Sequence, residues 1–148
     1  MTEVRFYHME RSTLESALPA LLNKAIQQGH ITVKTTDSKN IDALNTHLWT
    51  FDPNSFLPHG SEKDGFKEDQ PIWLTDKDEN PNQSEILILT HGAASENIKD
   101  YKLCCEMLDG RDEQAVSEAR KRWKSYKEEG FDITYWQQGP KDWEQKAA

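Results

Sequence analysis

Residues 85–90 read Glu-Ile-Leu-Ile-Leu-Thr (EILILT), and the stretch from Ile86 to Leu89 is an unbroken apolar run in a polar chain. A strand that is apolar on both faces is typical of the interior of a parallel sheet whose two faces are both covered. The run is preceded by a polar, proline-containing segment, Asp76–Ser84, which favours a short strand over a buried helix. We therefore place a parallel sheet at the centre of the fold.

Strand-like and helix-like segments alternate on either side of this run. We predict further strands at Val4–Met9, His30–Thr35, Ile72–Thr75, Tyr101–Leu108 and Phe131–Trp136. Helices are predicted from about Ser16 to Gly29 with Pro19 in the first turn, from Asp37 or Ser38 to just before Phe51, and from Asp112 to Glu129. This alternation predicts a single α/β domain, with a mainly parallel sheet flanked by helices in a Rossmann-like three-layer arrangement. We expect residues 1–138 to form the domain and residues 139–148 to form a flexible C-terminal tail.

The composition excludes several classes of protein. The 148 residues contain no apolar run near ~18 residues and no basic-then-apolar leader at the start, which predicts a soluble, cytoplasmic protein that contacts no membrane. The two cysteines, Cys104 and Cys105, are adjacent and lack the spacing of a zinc site or of a mutual disulfide. We therefore expect no metal and no cofactor.

The charge is unevenly distributed. The chain carries a net charge of −8, yet residues 119–127 (ARKRWKSYK) hold five basic residues and no acidic one. A protein with an acidic surface is a poor general binder of nucleic acid, because phosphate recognition needs a positive field. The positive segment is therefore the most informative charge feature of the sequence.

The same segment is amphipathic when it is drawn as a helix. At 100° per residue, one apolar stripe is predicted to be buried, and it consists of Ala115, Val116, Ala119, Trp123 and Tyr126. Arg120, Lys124 and Lys127 fall along one border of that stripe, next to Trp123. A row of cations beside an indole suits a ligand that carries carboxylates and an apolar anchor. The simpler alternative is a solvated cationic border without a ligand.

Two other functions remain open from the residues alone. Residues 119–127 would bind single-stranded nucleic acid directly if Trp123 and Trp136 stacked on its bases. A small hydrolase or nucleotide-binding protein is the other possibility, with His91-Gly92 as its best candidate site because ligands of α/β sheets bind at the carboxyl ends of strands. The five histidines show no metal-ligand spacing, and the chain has neither a nucleophile elbow nor a glycine-rich phosphate loop.

Four stretches resemble the chi subunit family of bacterial DNA polymerase III. They are VRFYHM at residues 4–9, LNTHLWTFDPNSFLPHG at 44–60, ILILT at 86–90 and ARKRWKSYKEEGFDI at 119–133. The family typically ends in A-R-x-R-aromatic-K-x-Y-basic-x-x-G, and Ala119 to Gly130 fill these slots in register. The acidic loops at residues 61–70 and 76–84 and the end of the chain have no counterpart in this resemblance.

The resemblance implies a non-catalytic subunit of the polymerase holoenzyme with an α/β fold. It implies that the chain binds the acidic, phenylalanine-ending C-terminal tail of single-stranded-DNA-binding protein, and so contacts single-stranded DNA only indirectly at the replisome. By position, Arg120 would bind carboxylate, Lys124 and Lys127 would add positive charge, and Trp123 and Trp49 would wall the apolar pocket. The segment Phe56, Leu57 and Pro58 would contact the psi subunit or another clamp-loader subunit.

Overall fold

The computed structural model describes residues 2–52, 57–140 and 142–146. The strands are β1 (Glu3–Met9), β2 (Ile31–Lys34), β3 (His59–Ser61), β4 (Ile72–Thr75), β5 (Ile86–Leu89), β6 (Leu103–Asp109), β7 (Asp132–Gln138) and β8 (Trp143–Lys146). The α-helices are α1 (Leu14–Ala25), α2 (Ser38–Thr50) and α3 (Glu113–Glu128). Single 3-10 turns lie at Ile26–Gln28 and Ile98–Asp100.

The described strands form one sheet in the order β3-β4-β2-β5-β6-β1-β7-β8. All neighbouring strands are parallel except β7 and β8, which are antiparallel. The apolar run Ile86–Leu89 is β5, which lies between β2 and β6, and all four of its residues are buried. The prediction of a mainly parallel α/β sheet is therefore confirmed.

The two faces of the sheet carry separate apolar cores because successive side chains of a strand point to opposite sides. Ile86 and Ile88 belong to the core that packs against α1 and α2. Leu87 and Leu89 belong to the core that packs against α3. The predicted three-layer arrangement is present, with two helices on one face and one helix on the other.

Helix α1 begins earlier than expected, and Pro19 lies inside it rather than in its first turn. The Thr13 side chain caps the helix by accepting a hydrogen bond from the backbone N of Ser16. Proline has no N–H to donate to the carbonyl four residues before it, which leaves the Glu15 oxygen free. His47 Nε2 of α2 lies 2.5 Å from that oxygen and donates to it. A hydrogen bond between α1 and α2 thus replaces the one that Pro19 cannot donate within α1.

The end of the chain also differs from expectation. Residues 143–146, which we expected to be part of a flexible tail, form β8 and pair with β7, so that Gln138 lies opposite Trp143. Trp143 is partly buried against the core beneath α1 and its ring meets the Tyr7 ring edge-on at 5.0 Å. The indole thus gives the hairpin an apolar contact with the sheet. The expectation of a flexible tail at residues 139–148 is therefore corrected for residues 143–146.

Within the described residues, no helix combines the length and the apolar character that a membrane span requires.

Candidate functional site

Helix α3 forms where the sequence predicts it. Asp112 caps its first turn by accepting hydrogen bonds from the backbone N atoms of Gln114 and Ala115. The chain leaves the helix at Gly130, whose φ of 88° is in the left-handed region that glycine adopts without strain. These two ends fix the helix between β6 and β7, which it connects.

The apolar stripe of α3 faces the sheet as predicted. Ala119 and Tyr126 are buried, and Val116 and Trp123 are partly buried against the same core. The Tyr126 ring packs on Phe6 of β1 and on Phe131. Burial of this stripe fixes which residues of the helix remain at its surface.

Arg120, Lys124 and Lys127 are all exposed on α3. None of them forms an ion pair with a residue in the described ranges, whereas the acidic side chains elsewhere on the protein pair with several other cations. The Lys127 ammonium lies 4.8 Å from the centre of the Trp123 ring, which is cation–π distance. We call these four residues the α3 edge.

The two remaining cations of the basic segment, Lys121 and Arg122, form ion pairs with acidic side chains. Lys121 lies 3.7 Å from Glu118 one turn earlier on the helix. Arg122 Nε donates to Glu106 Oε1 of β6 at 2.7 Å, beneath the helix. Within the basic segment 119–127, only the three cations of the α3 edge therefore have no acid in contact among the described residues.

Glu106 is the buried acid under α3, with 2% of its surface exposed. The Tyr126 hydroxyl donates to its second carboxylate oxygen at 2.6 Å. Burial raises the pKa of Glu106 above its ordinary value, while the Arg122 guanidinium and the Tyr126 hydroxyl act in the opposite direction. For Tyr126, burial and then the negative Glu106 raise the phenol pKa, so the tyrosine stays protonated and remains a donor.

Sequence reasoning missed this Glu106–Arg122–Tyr126 cluster. A signal was available, because the only charged residue inside the otherwise apolar run Leu103–Leu108 is Glu106. A charged residue in the middle of a buried strand needs a partner, since an unpaired buried charge is strongly unfavourable. The basic segment that follows offers that partner in Arg122.

The α3 edge faces strand β7. Burial raises the pKa of Tyr135 on β7, and Arg120 is close enough for its positive charge to oppose this shift. The Tyr135 hydroxyl lies 2.5 Å from His8 Nδ1, and its ring stacks on Phe6. Trp123 and Tyr135 both pack against the core beneath α3.

The structure does not bring Trp49 to the α3 edge. Trp49 is on α2, packed at 4.3 Å from the His59 ring of β3, which is the sheet edge furthest from β7 and β8. Helices α2 and α3 also lie on opposite faces of the sheet. The expectation that Trp49 and Trp123 wall one pocket is therefore corrected.

The expected psi-contact segment is only partly described. Phe56 lies outside the described residues. Leu57 is 2% exposed and belongs to the core beneath α1 and α2, so its side chain is not at the surface. Pro58 is partly exposed. The role of this segment stays a prediction.

The alternative site at His91 lies in a cleft of about 580 Å³ at the carboxyl ends of β1, β5 and β6. Thr35 Oγ1 and Thr90 Oγ1 lie 2.8 and 3.0 Å from His91 Nδ1. Burial lowers the pKa of His91, which keeps its imidazole neutral at physiological pH. His91 has a φ of 56°, an uncommon conformation for a residue with a side chain. Within the described ranges, no three histidine, cysteine or acidic side chains come together as a metal site would require.

Comparison with known proteins adds the family. The family model described as "DNA polymerase III chi subunit, HolC" matches residues 1–134. The protein named "Probable DNA polymerase III subunit chi" from Rickettsia prowazekii (strain Madrid E) is 32% identical over 105 residues, which cover 68% of this chain and 64% of that protein. The chain thus spans about two thirds of the length of this relative. With nine tenths of its residues inside the family match, the chain belongs to the DNA polymerase III chi subunit family.

Proposed function

We propose that this chain is a non-catalytic accessory subunit that binds the acidic, phenylalanine-ending tail of single-stranded-DNA-binding protein and links it to the polymerase III holoenzyme. It would act in the bacterial cytoplasm at the replisome and contact single-stranded DNA through that partner. Its second partner would be the psi subunit or another clamp-loader subunit. The observation that carries the proposal is the α3 edge, with its three unpaired cations beside one partly buried indole.

The charges of the α3 edge suit a peptide with several carboxylates. Arg120, Lys124 and Lys127 recur at helical spacing on one side of α3, so an extended peptide can meet them in succession. The Arg120 guanidinium offers a two-pronged donor to a carboxylate, and we assign it the terminal carboxylate or the nearest aspartate. The two lysines contribute charge and further hydrogen bonds.

The aromatic part of the α3 edge suits the terminal phenylalanine. Trp123 is partly exposed, and Lys127 lies over its ring. A carboxylate that pairs with Lys127 draws the ammonium toward itself, which leaves the ring face open to a phenyl group. We therefore expect the acidic and aromatic parts of the ligand to bind together better than either part alone.

Binding of a nucleic-acid backbone fits the charges of this chain less well than binding of an acidic peptide. The segment 119–127 could make roughly three to five phosphate contacts, which would give weak binding that falls steeply with salt. The remainder of the chain is acidic and repels phosphate. A peptide is smaller than a DNA strand and meets only the positive segment.

The test is a calorimetric titration of the full chain with three ligands. They are a peptide ending in aspartates and phenylalanine, the same peptide without the phenylalanine, and a single-stranded oligonucleotide of similar charge. We expect micromolar binding of the first peptide, marked loss for the second, and weaker binding of the oligonucleotide. Displacement of the full peptide by the oligonucleotide would contradict the proposal, because it would mean that DNA occupies the α3 edge.

A further inference from the structure

A second cleft, of about 290 Å³, lies between α1 and the β7–β8 hairpin, on the face of the sheet opposite α3. Tyr7, Trp136 and Trp143 line it, and we call it the indole cleft. The register pairs Trp136 with Gln145 and Gln138 with Trp143, which makes the two indoles diagonal neighbours on one face of the hairpin. Such neighbours are roughly 7 Å apart, within reach of one flat ligand that touches both.

Polar groups of both kinds surround the indole cleft. Lys24 projects from α1 and Gln28 from the 3-10 turn that follows it, and the structure gives neither side chain a hydrogen bond or ion pair with a described residue. Asp142 on the hairpin is an acceptor, and its carboxylate already receives the backbone N–H of Trp143. Arg5 in the floor is held by Glu3 at 2.6 Å. Donors and acceptors thus lie around an aromatic slot.

A plain hydrocarbon ring would fill this slot but leave its polar groups without partners, which is unfavourable on burial. A nucleobase has aromatic faces for stacking and an edge that carries both donors and acceptors. We propose that the indole cleft binds a nucleobase of single-stranded nucleic acid. Trp143 and Trp136 supply the stacking surfaces, while Lys24 and Gln28 contact the edge of the base.

The charge around the indole cleft indicates how this binding differs from phosphate binding. Arg5 and Lys24 are balanced by Glu3 and Asp142, so the cleft is close to neutral. Its affinity depends on the base and changes little with salt, in contrast to a site that neutralises phosphates. The α3 edge lies across the sheet and does not contribute.

The indole cleft combines residues inside the family match with residues beyond it. That match ends at residue 134, whereas both indoles and Asp142 follow it. The site does not depend on the proposed tail binding, because none of its residues belongs to the α3 edge.

The experiment measures fluorescence anisotropy of a labelled oligodeoxythymidylate with the full chain, at low and moderate salt. An oligonucleotide of equal length that lacks bases is the matched ligand control. We expect the first to bind, the second not to bind, and thymidine to compete. Trp143→Ala should weaken binding roughly 5- to 100-fold, the effect of losing one stacked base. Trp49→Ala, which removes an indole on the far side of α2, should leave it unchanged.

Lys24→Ala and Gln28→Ala test the same site without disturbing the hairpin, because both residues are exposed and lie outside β7 and β8. Each should weaken binding several-fold, while Arg120→Ala should have no effect. Equal binding of the base-free oligonucleotide would overturn the proposal, as would displacement of the DNA by N-acetylphenylalaninamide as readily as by thymidine. Loss of binding in Arg120→Ala with none in Lys24→Ala or Gln28→Ala would assign DNA to the α3 edge instead.

Discussion

Arg122 of α3 and Glu106 of β6 form an ion pair at 2.7 Å between the helix and the sheet, and their side chains are only 17% and 3% exposed. The pair sets the rotation of α3 about its own axis, because Arg122 must point inward to reach Glu106. Arg120, two residues earlier, consequently points away from the pair and to the surface. The buried ion pair of Arg122 therefore determines that Arg120 is exposed.

Removing one partner of this pair should be costly. In Arg122→Ala the Glu106 carboxylate stays buried with only Tyr126 to bond it, and such losses typically destabilise a protein by about 3–5 kcal/mol. Chemical denaturation followed by circular dichroism measures the change in the free energy of unfolding. Lys121→Ala, which removes an exposed cation next in the chain, should change it by no more than about 0.5 kcal/mol. An equally small effect in both variants would show that the pair contributes little.

The cost of Arg122→Ala should also depend on pH. Burial raises the pKa of Glu106 above its ordinary 4.5, so its ionisation opposes folding as the pH rises from that ordinary value through the raised one. Loss of Arg122 raises this pKa further. The gap in unfolding free energy between wild type and variant should therefore be smaller at about pH 5 than at about pH 8.

Denaturation curves at both pH values check this expectation. In the background Glu106→Gln there is no carboxyl group to titrate, so the effect of Arg122→Ala should be the same at both pH values. A gap that does not change with pH in the wild-type background would contradict the assignment to Glu106.

Tyr126→Phe should isolate the second bond of the cluster. The change removes the hydroxyl that donates to Glu106 at 2.6 Å and keeps the ring contacts with Phe6 and Phe131. Loss of a hydrogen bond to a charged group costs about 1.5–3 kcal/mol. Thermal unfolding measures the loss, with Tyr135→Phe as a comparison because its hydroxyl bonds to a histidine instead. A wild-type melting temperature would mean that water replaces the bond.

Arg120→Ala should weaken binding of the acidic peptide without unfolding the protein. We expect a loss of about 1.5–3 kcal/mol in binding free energy, because a charged hydrogen bond to carboxylate is removed. Lys121→Ala carries the same change in net charge on the other side of the helix and should have almost no effect. Isothermal titration calorimetry of both variants distinguishes an oriented site from general attraction, since equal losses would indicate only the latter.

Gly110→Ala should destabilise the turn between β6 and α3. A methyl group there would overlap His8 Nε2 and lie 2.8 Å from the Met9 carbonyl oxygen. The imidazole would have to move and lose its bond to Tyr135, at a cost of about 1–3 kcal/mol for an overpacked site. Denaturation of the single variant and of the same change with His8→Ala measures it. We expect Gly110→Ala to cost less unfolding free energy in the His8→Ala background. An equal cost in both backgrounds would mean that the methyl group clashes with the backbone and not with the imidazole.

Local patterns predicted much of this fold. The run EILILT predicts β5, and the periodicity of residues 112–129 predicts α3 and its buried stripe, because burial repeats every 3.6 residues along a helix. Asp37 is one of the two residues at which the sequence predicts α2 to begin, and its side chain caps the helix by accepting a hydrogen bond from Asn40 N. These features depend on residues that are close in the sequence.

Other features depend on contacts between distant residues, which no local pattern contains. Pro19 is tolerated inside α1 because His47, in another helix, bonds the carbonyl oxygen that proline leaves free. Strand β8 is held to the sheet because Trp143 packs against the Tyr7 ring and against the core beneath α1 and α2. The placing of Trp49 beside Trp123 was wrong for the same reason, since the face of the sheet that each helix covers is a property of the whole topology.

Strand β1 presents its side chains alternately to the two surfaces: Phe6 lies beneath α3, while Arg5 and Tyr7 lie in the indole cleft. The sheet therefore separates the two proposed ligands, and neither occupies volume that the other needs. Simultaneous occupancy is sterically allowed, and substitutions on the two surfaces should have additive effects on the two affinities. The chain would then bind a peptide on one face of the sheet and a strand of DNA on the other at the same time.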